Sequence, residues 1–260
     1  MGDAKTIIVK PISAADGNRI IQDLHYSGKI VQNSQVHLGV FMNGRCGGAM
    51  QFGPSLDKRK IQGLVRGTRW HEFIELNRMA FADWLPRNSE SRAIGFAMRW
   101  LKATYPQLRW VISFADATQC GDGAIYRASG FVLTAIKKNS QLFKFGDGTI
   151  AHKMTYKTAR PTPQQRILRA RLKMPSASVE ALMKAADAKP LPGFQLRYIF
   201  FIDRDARRAL SVPEIPFAKI RDIGASMYRG AKRAGSAEGG TPGIQSGRDG
   251  STPIPALDTQ

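Results

Sequence analysis

FIELNRMAFADWLPRNSESRAIGFAMRWLKAT, residues 73–104, decides how the rest of the chain is read. Its first nine residues alternate, with Phe73, Glu75, Asn77 and Met79 on one side and Ile74, Leu76, Arg78 and Ala80 on the other, the two-residue period of a strand. Arg78 is therefore expected to share a face with Leu76, either in a buried ion pair or as a pocket anchor for an anion. Pro86 ends the strand. Ile94, Ala97, Met98 and Leu101 then recur at helical spacing and predict an amphipathic helix over 92–104. The polar run Arg87-Asn88-Ser89-Glu90-Ser91-Arg92 crowds its N-terminus, where unpaired amides and the positive dipole end receive anions. Simple capping by Ser89 or Ser91 explains the same residues.

Upstream, TIIVK reads as a strand, and residues 13–24 as a helix with Ser13 as N-cap and Ile20, Ile21 and Leu24 as its apolar edge. After a loop around Gly28, VHLGVFM and CGGAMQFG flank Asn43-Gly44, a strong hairpin signal because both turn residues tolerate positive φ. Residues 57–60 read as a basic loop. Downstream, RWVISFAD is a buried strand, DGAIYRASGF a short helix closed by Gly130, FVLTAIKK a strand, and LFKF with TIAHKMTY a hairpin. Pro161 and Pro163 open a linker, helices follow near 164–173 and 176–188, and LRYIFFID is a final strand that either extends the sheet or makes a dimer contact. The Gly, Ser, Thr and Pro content beyond residue 230 predicts disorder. The expected organisation is a core over 1–160, a basic extension with helices and an added strand over 161–229, and a tail over 230–260. The order of elements is that of the GCN5-related acetyltransferase superfamily, an α+β fold whose mixed, mostly antiparallel sheet is flanked by helices.

Lys and Arg number 39 against 20 Asp and Glu, a net charge of +19. Residues 1–160 carry 23 basic and 11 acidic side chains, so the excess is not a tail property. A polyanionic partner is expected, nucleic acid before an anionic membrane, against the plainer reading of a solubilising surface. Lys58, Arg59, Lys60, Arg66 and Arg69 interleave with Trp70 and supply phosphate contacts plus a stacking ring. The two cysteines, Cys46 and Cys120, make neither a disulfide framework nor a zinc site, which points to a reducing cytoplasm. No run approaches the roughly 18 apolar residues of a membrane span, and MGDAKTIIVK lacks a signal core, so neither embedding nor export is expected.

Among chemically active side chains, Asp116 ends a buried strand and suits proton acceptance or metal binding, or is an ordinary loop carboxylate. Tyr126 is a proton donor or a packed aromatic. His25 and Tyr26, at the end of the first helix, border the acceptor side; a lone histidine is otherwise structural. A metal would need ligands from distant segments, such as His25 with Asp116.

HYSGKIVQNS, GPSLDKRK, ELNRMAFADWLPRNSESRAI, SFADATQCGDGAIYRASGF and RYIFFID, in that order, resemble the Mom family of phage DNA-modification proteins, over about residues 5–228. The resemblance implies conversion of adenine in double-stranded DNA to its N6-carbamoylmethyl form, which shields phage DNA from host restriction. It implies His25, Tyr26, Arg78, Ser91, Asp116 and Tyr126 as active-site positions, and Arg87, Asn88, Ser89, Ser91 and Arg92 as the loop for a small-molecule donor. It further implies a redox metal such as iron, or a glycine-derived donor. An acyl-coenzyme A donor is at odds with the loop, where Asn and Ser stand in place of the superfamily's glycines. The rival readings are a conventional N-acetyltransferase and a DNA-binding module with a decayed site.

Overall fold

Hydrophobic alternation builds six strands in the first part of the chain: β1 (Ile8–Pro11), β2 (Val36–Met42), β3 (Arg45–Gly53), β4 (Phe73–Phe81), β5 (Trp110–Asp116) and β6 (Val132–Lys138). A small sheet of β7 (Leu142–Lys144), β8 (Ile150–His152) and β9 (Lys189–Pro190) follows, and then β10 (Phe194–Phe201). The computed structural model describes residues 3–118, 121–157, 160–225, 227–228 and 231–232; Cys120 and nearly all of the expected 230–260 tail lie outside them. The main sheet runs β1-β2-β3-β4-β5-β10-β6. Every neighbouring pair is antiparallel except β4 and β5. Asn43 (φ 52°) and Gly44 (φ 77°) form the hairpin turn, both in the left-handed region that this sequence tolerates.

β10 settles the two readings of its segment. It is hydrogen-bonded to β5 on one side and β6 on the other, so it is neither an edge addition nor a dimer contact. Burial on both faces is the reason: Leu196, Tyr198 and Ile199 are all fully buried, which only an interior strand satisfies. The strand thus closes a sheet whose other six members precede residue 160.

The helices are α1 (Ala14–Leu24), α2 (Lys58–Gln62), α3 (Ser89–Thr104), α4 (Ala124–Ala128), α5 (Pro163–Arg171), α6 (Val179–Ala185), α7 (Arg204–Arg208) and α8 (Ala218–Asp222). Ser13 caps α1 through the amide of Asp16. The expected basic loop at 57–60 is instead the start of α2, because the Asp57 carboxylate accepts from the Lys60 amide and caps a turn. α3 begins at Ser89, three residues before the expected start at Arg92, since the polar residues of its first turn carry no periodic signal.

On one face of the sheet, α3 buries Ile94, Ala97, Met98 and Leu101 against Leu38, Met50, Phe52, Leu76 and Val111. Each of the larger of these side chains contributes about 1.5–3 kcal/mol. The other face is covered by α1, with Ile20 and Ile21 on Ala49 and Ala80, and by α7 over Phe73, Trp110, Ile112 and Ile199. The segment between β6 and β10 has its own small core of Phe145, Tyr156, Leu168, Leu182 and Ala186. No helix among the described residues is long and apolar enough to cross a membrane.

Candidate active site and basic face

Two irregularities in β4 create the site. β4 pairs with β5 only at Phe73, Ile74 and Glu75; beyond that, β4 keeps its bonds to β3 and β5 its bonds to β10, so the two parallel strands part. β4 also bulges at Asn77: Phe52 faces Leu76 and Gln51 faces Arg78, leaving Asn77 as the extra residue. The bulge overturns the expected orientation. Leu76 stays on the α3 face, whereas Arg78 joins Gln51 and Ala80 on the α1 face. Glu75 and Asp116, by strand alternation, point to that same face.

Arg78 is not in a buried ion pair. Its Nε donates to the Lys29 carbonyl (3.3 Å) and its Nη1 to the Asn77 carbonyl (2.8 Å), which steadies the guanidinium and leaves further N–H groups for a ligand. The Asn77 Oδ1 accepts from Ser34 Oγ, and a Cβ on Gly53 would come within 2.7 Å of that oxygen, so glycine is required there. These contacts pin the loop 25–35 over the bulge. Burial pushes the Glu75 carboxyl up, against the pull of Ser55, Asn77 and Arg78.

His25 closes α1, its ring 4.2 Å from that of Tyr26. Nδ1 accepts from the Ser27 amide (3.2 Å) and lies 2.8 Å from Ser27 Oγ, so the ring proton resides on Nε2. Burial, and then the Arg78 guanidinium, push the imidazole from 6.5 down to about 4. The folded protein therefore binds fewer protons than the unfolded chain between those values. The stability that neutral His25 supplies is complete above pH 6.5 and is lost as pH falls toward 4. His25→Asn, whose amide oxygen replaces Nδ1, is expected to flatten that part of the stability profile, as read from urea midpoints between pH 6.5 and about 4.

A second histidine joins the site, one that sequence reading left without a role. His152 ends β8, and its Nδ1 accepts from the Met154 amide (3.1 Å). Burial pushes its imidazole down, as do Lys29 and Arg78, while Asp116 pushes it up. Its only sequence signal was a place at the end of a hairpin strand; in the fold it lies within electrostatic reach of Lys29, Asp116 and Arg78. The Asp116 carboxylate accepts from the Thr118 amide (3.0 Å), forming a turn just past the end of β5. Among the described residues no three His, Cys, Asp or Glu side chains form a metal-holding group.

Tyr126 approaches from the opposite face. It is 8% exposed, packed against Phe131 and Tyr198. Its hydroxyl lies 2.9 Å from Ser113 Oγ, which donates to the Leu76 carbonyl (3.2 Å). Ser113 thus stands between the phenol and the Leu76 carbonyl, near where β4 and β5 part. Tyr198 Oη donates to the Asp122 carbonyl and fixes the loop that enters α4. Tyr126→Phe is expected to cost about 1 kcal/mol in urea unfolding and to retain most activity.

The start of α3 does not form a receiving cup. Its N-cap is Asn88, in the left-handed region with φ 70° and without a side-chain cap. Ser91 Oγ donates to the Asn88 carbonyl, Arg92 donates to the Lys5 carbonyl, and the Ser89 hydroxyl is buried without a partner. Arg87 and Asn88 are exposed. Glu90 lies in the same turn, its carboxyl pushed up by burial and by Asp83. Two carboxylates beside the amides fit a coenzyme A pyrophosphate badly.

The basic residues of the 57–72 segment are on the surface as expected. Arg59, Lys60, Arg66, Arg69 and Trp70 are exposed, and Lys58 Nζ sits 4.3 Å over the Trp70 ring. Arg59 and Arg66 line an open groove of about 430 Å³. Trp110 Nε1 donates to Thr68 Oγ1 and Ser211 Oγ to the Gly63 carbonyl, so both the sheet and the C-terminal segment hold this face in place.

The strand order, the parted parallel pair and the placement of helices on both faces define an acetyltransferase-like α+β fold. Solved structures of that class are similar to it only distantly: a spermidine/spermine N-acetyltransferase from Vibrio cholerae (10% identity, TM-score 0.41, covering 79% of this chain and 98% of that one) and an acetyltransferase from Bacillus cereus (8%, 0.40, 75% and 99%). In sequence the correspondence is much closer. The Mom protein family matches residues 6–219, and the chain is 35% identical over 210 residues to the methylcarbamoylase Mom of Escherichia phage Mu, covering 80% of each. The protein belongs to the Mom family.

Proposed function

We propose that the protein is a DNA-modifying transferase that attaches a carbamoylmethyl group to N6 of adenine, acting in the cytoplasm of a bacterial host and protecting phage DNA from restriction. Membership in the Mom family, with a relative named for methylcarbamoylation, supports the group transferred. The net charge of +19 supports a polyanionic acceptor. The observation that supports the chemistry is that Arg78 and Asp116 share the α1 face where β4 and β5 part, with His25 at the end of α1.

An exocyclic amine inside a duplex is out of reach, so the adenine leaves the stack. Tyr26, 45% exposed beside His25, offers a ring for it to lie on. As the new N–C bond forms, the bond from the methylene carbon to the rest of the donor breaks and its electron pair leaves with the donor, while the amine loses a proton, which Asp116 accepts. Arg78 holds an anionic part of the small-molecule donor with the N–H groups its two carbonyl contacts leave over. Neutral His25 turns Nε2–H to charge that develops on the donor. Tyr126 is a positioning residue that keeps the strands apart through Ser113. The transferred carbon is a methylene, so attack on a thioester carbonyl does not yield this product, in keeping with the poor coenzyme fit at α3.

Mass spectrometry of nucleosides from cells expressing the full chain tests the reading. Carbamoylmethyl-adenine is expected in their DNA; soluble, folded protein accumulating beside wholly ordinary adenine would sink it.

A further inference from the structure

The 139–193 segment, inserted between β6 and β10, is rooted on the loop that carries Asp116. The Asn139 amide donates to the Gly193 carbonyl (2.8 Å) and the Ala117 amide to the Phe194 carbonyl (2.9 Å). Gly193, at φ 149°, lies so close to Thr118 that a Cβ there would sit 2.2 Å from its Oγ1. One end of the small sheet supplies His152 to the site. The rest of the unit faces outward.

Its charge is lopsided. The segment holds ten Lys or Arg and three Asp or Glu. Each of the three acids is already paired within the unit: Asp147 with Arg171, Glu180 with Lys157 and Asp187 with Lys189. α5, PQQRILRAR, contains no acidic residue at all. Arg166, Arg169 and Lys173, with Ala170 and Pro175, line an open groove of about 430 Å³. Arg169 is a brace, donating to the carbonyls of Met174 and Pro175. The side chains of Arg166 and Lys173 make no hydrogen bond or ion pair among the described residues, and Ile167 is 67% exposed between the arginines. A surface with cations lacking counter-charges and a groove beside them suits a regularly spaced line of anions.

We infer that this inserted unit grips the sugar-phosphate backbone of the substrate duplex through the α5 groove, with Arg166 and Lys173 on phosphates. The unit packs against the segment just past Asp116 through Gly193 and Thr118, so a duplex held there is held by the same body that carries Asp116. The inference rests on the DNA-modifying reading and adds to it a second contact surface, separate from the 57–72 face.

Anisotropy of a labelled DNA duplex, titrated with salt against the full-length protein, tests it. Arg166→Gln with Lys173→Asn removes both charges; asparagine suits the left-handed backbone of Lys173 (φ 55°). Each phosphate contact contributes about 0.9 to the slope of log affinity against log salt, so the double variant is expected to flatten the slope by about 1.8. Arg166→Lys, which keeps the charge, is expected to retain it. An unchanged slope in the double variant, with a wild-type melting curve, overturns the α5 contact and leaves the DNA reading standing. Equal flattening by Arg166→Lys also overturns it. Absence of salt-dependent duplex binding by the wild-type protein overturns both.

Discussion

Exchange of Asp116 for asparagine is expected to lower adenine modification about 10²–10⁴-fold, the usual contribution of a positioned general base. The substitution isolates charge from shape. Asparagine keeps an oxygen for the Thr118 amide, now 3.0 Å from the carboxylate, so the turn after β5 survives. The proton acceptor is lost. Stability in urea is expected to stay within about 0.5 kcal/mol of the wild type. His152 provides an internal check: Asp116 pushes its imidazole up, so removing the negative charge must lower the His152 titration followed by NMR. A wild-type yield of modified adenine from the Asp116→Asn variant would remove Asp116 from the base role, and an unmoved His152 titration would show that the two side chains do not meet.

The largest stability effect is expected from Trp110→Ala, at about 3–5 kcal/mol. Trp110 is fully buried, stacked on Phe73 with centroids 4.6 Å apart and planes within 7°, and tethered to Thr68 through its indole N–H. Alanine leaves a cavity where the two faces of the sheet depend on a filled centre, and it leaves the buried Thr68 hydroxyl without its donor. Trp110→Phe separates these effects. It keeps most of the stack and loses only the tether, at about 1–2 kcal/mol. Because Thr68 belongs to the basic 57–72 segment, the phenylalanine variant is also expected to bind duplex DNA more weakly without changing the number of cations. Chemical denaturation and salt titration distinguish the two, and a Trp110→Ala protein as stable as the wild type would mean that this ring does not fill the centre of the sheet.

Much of the fold was legible because its signals are local. Asn43-Gly44 dictated a hairpin through the φ values both residues accept, and Ser13 dictated a helix start through its hydroxyl. The apolar edge of α3 announced which side it buries. The 57–60 segment was misread as a loop because so short a run gives no period, and the cap that makes a turn of it is a single aspartate. The site was less legible. His25, Tyr26, Arg78 and Asp116 were legible one by one, from their places at the ends and faces of elements and from wording they share with a family, but no spacing joins them. His152 lacked such wording and was passed over. Tyr126 was readable as either a donor or a packed ring, and its hydroxyl on Ser113 inside the core favours the second.

The chain of residues by itself determined the elements, the positive charge, the hairpin and the family, since each follows from neighbours within a few positions or from composition. Only the tertiary structure decided that Arg78 turns to the α1 face, that β10 lies between β5 and β6, and that a distant hairpin brings His152 within electrostatic reach of Asp116. The reason is that a bulge, a strand's place in a sheet and a contact across an insertion are settled by pairing between remote segments. Local periodicity fixes how a strand alternates, but its partner fixes where the alternation slips.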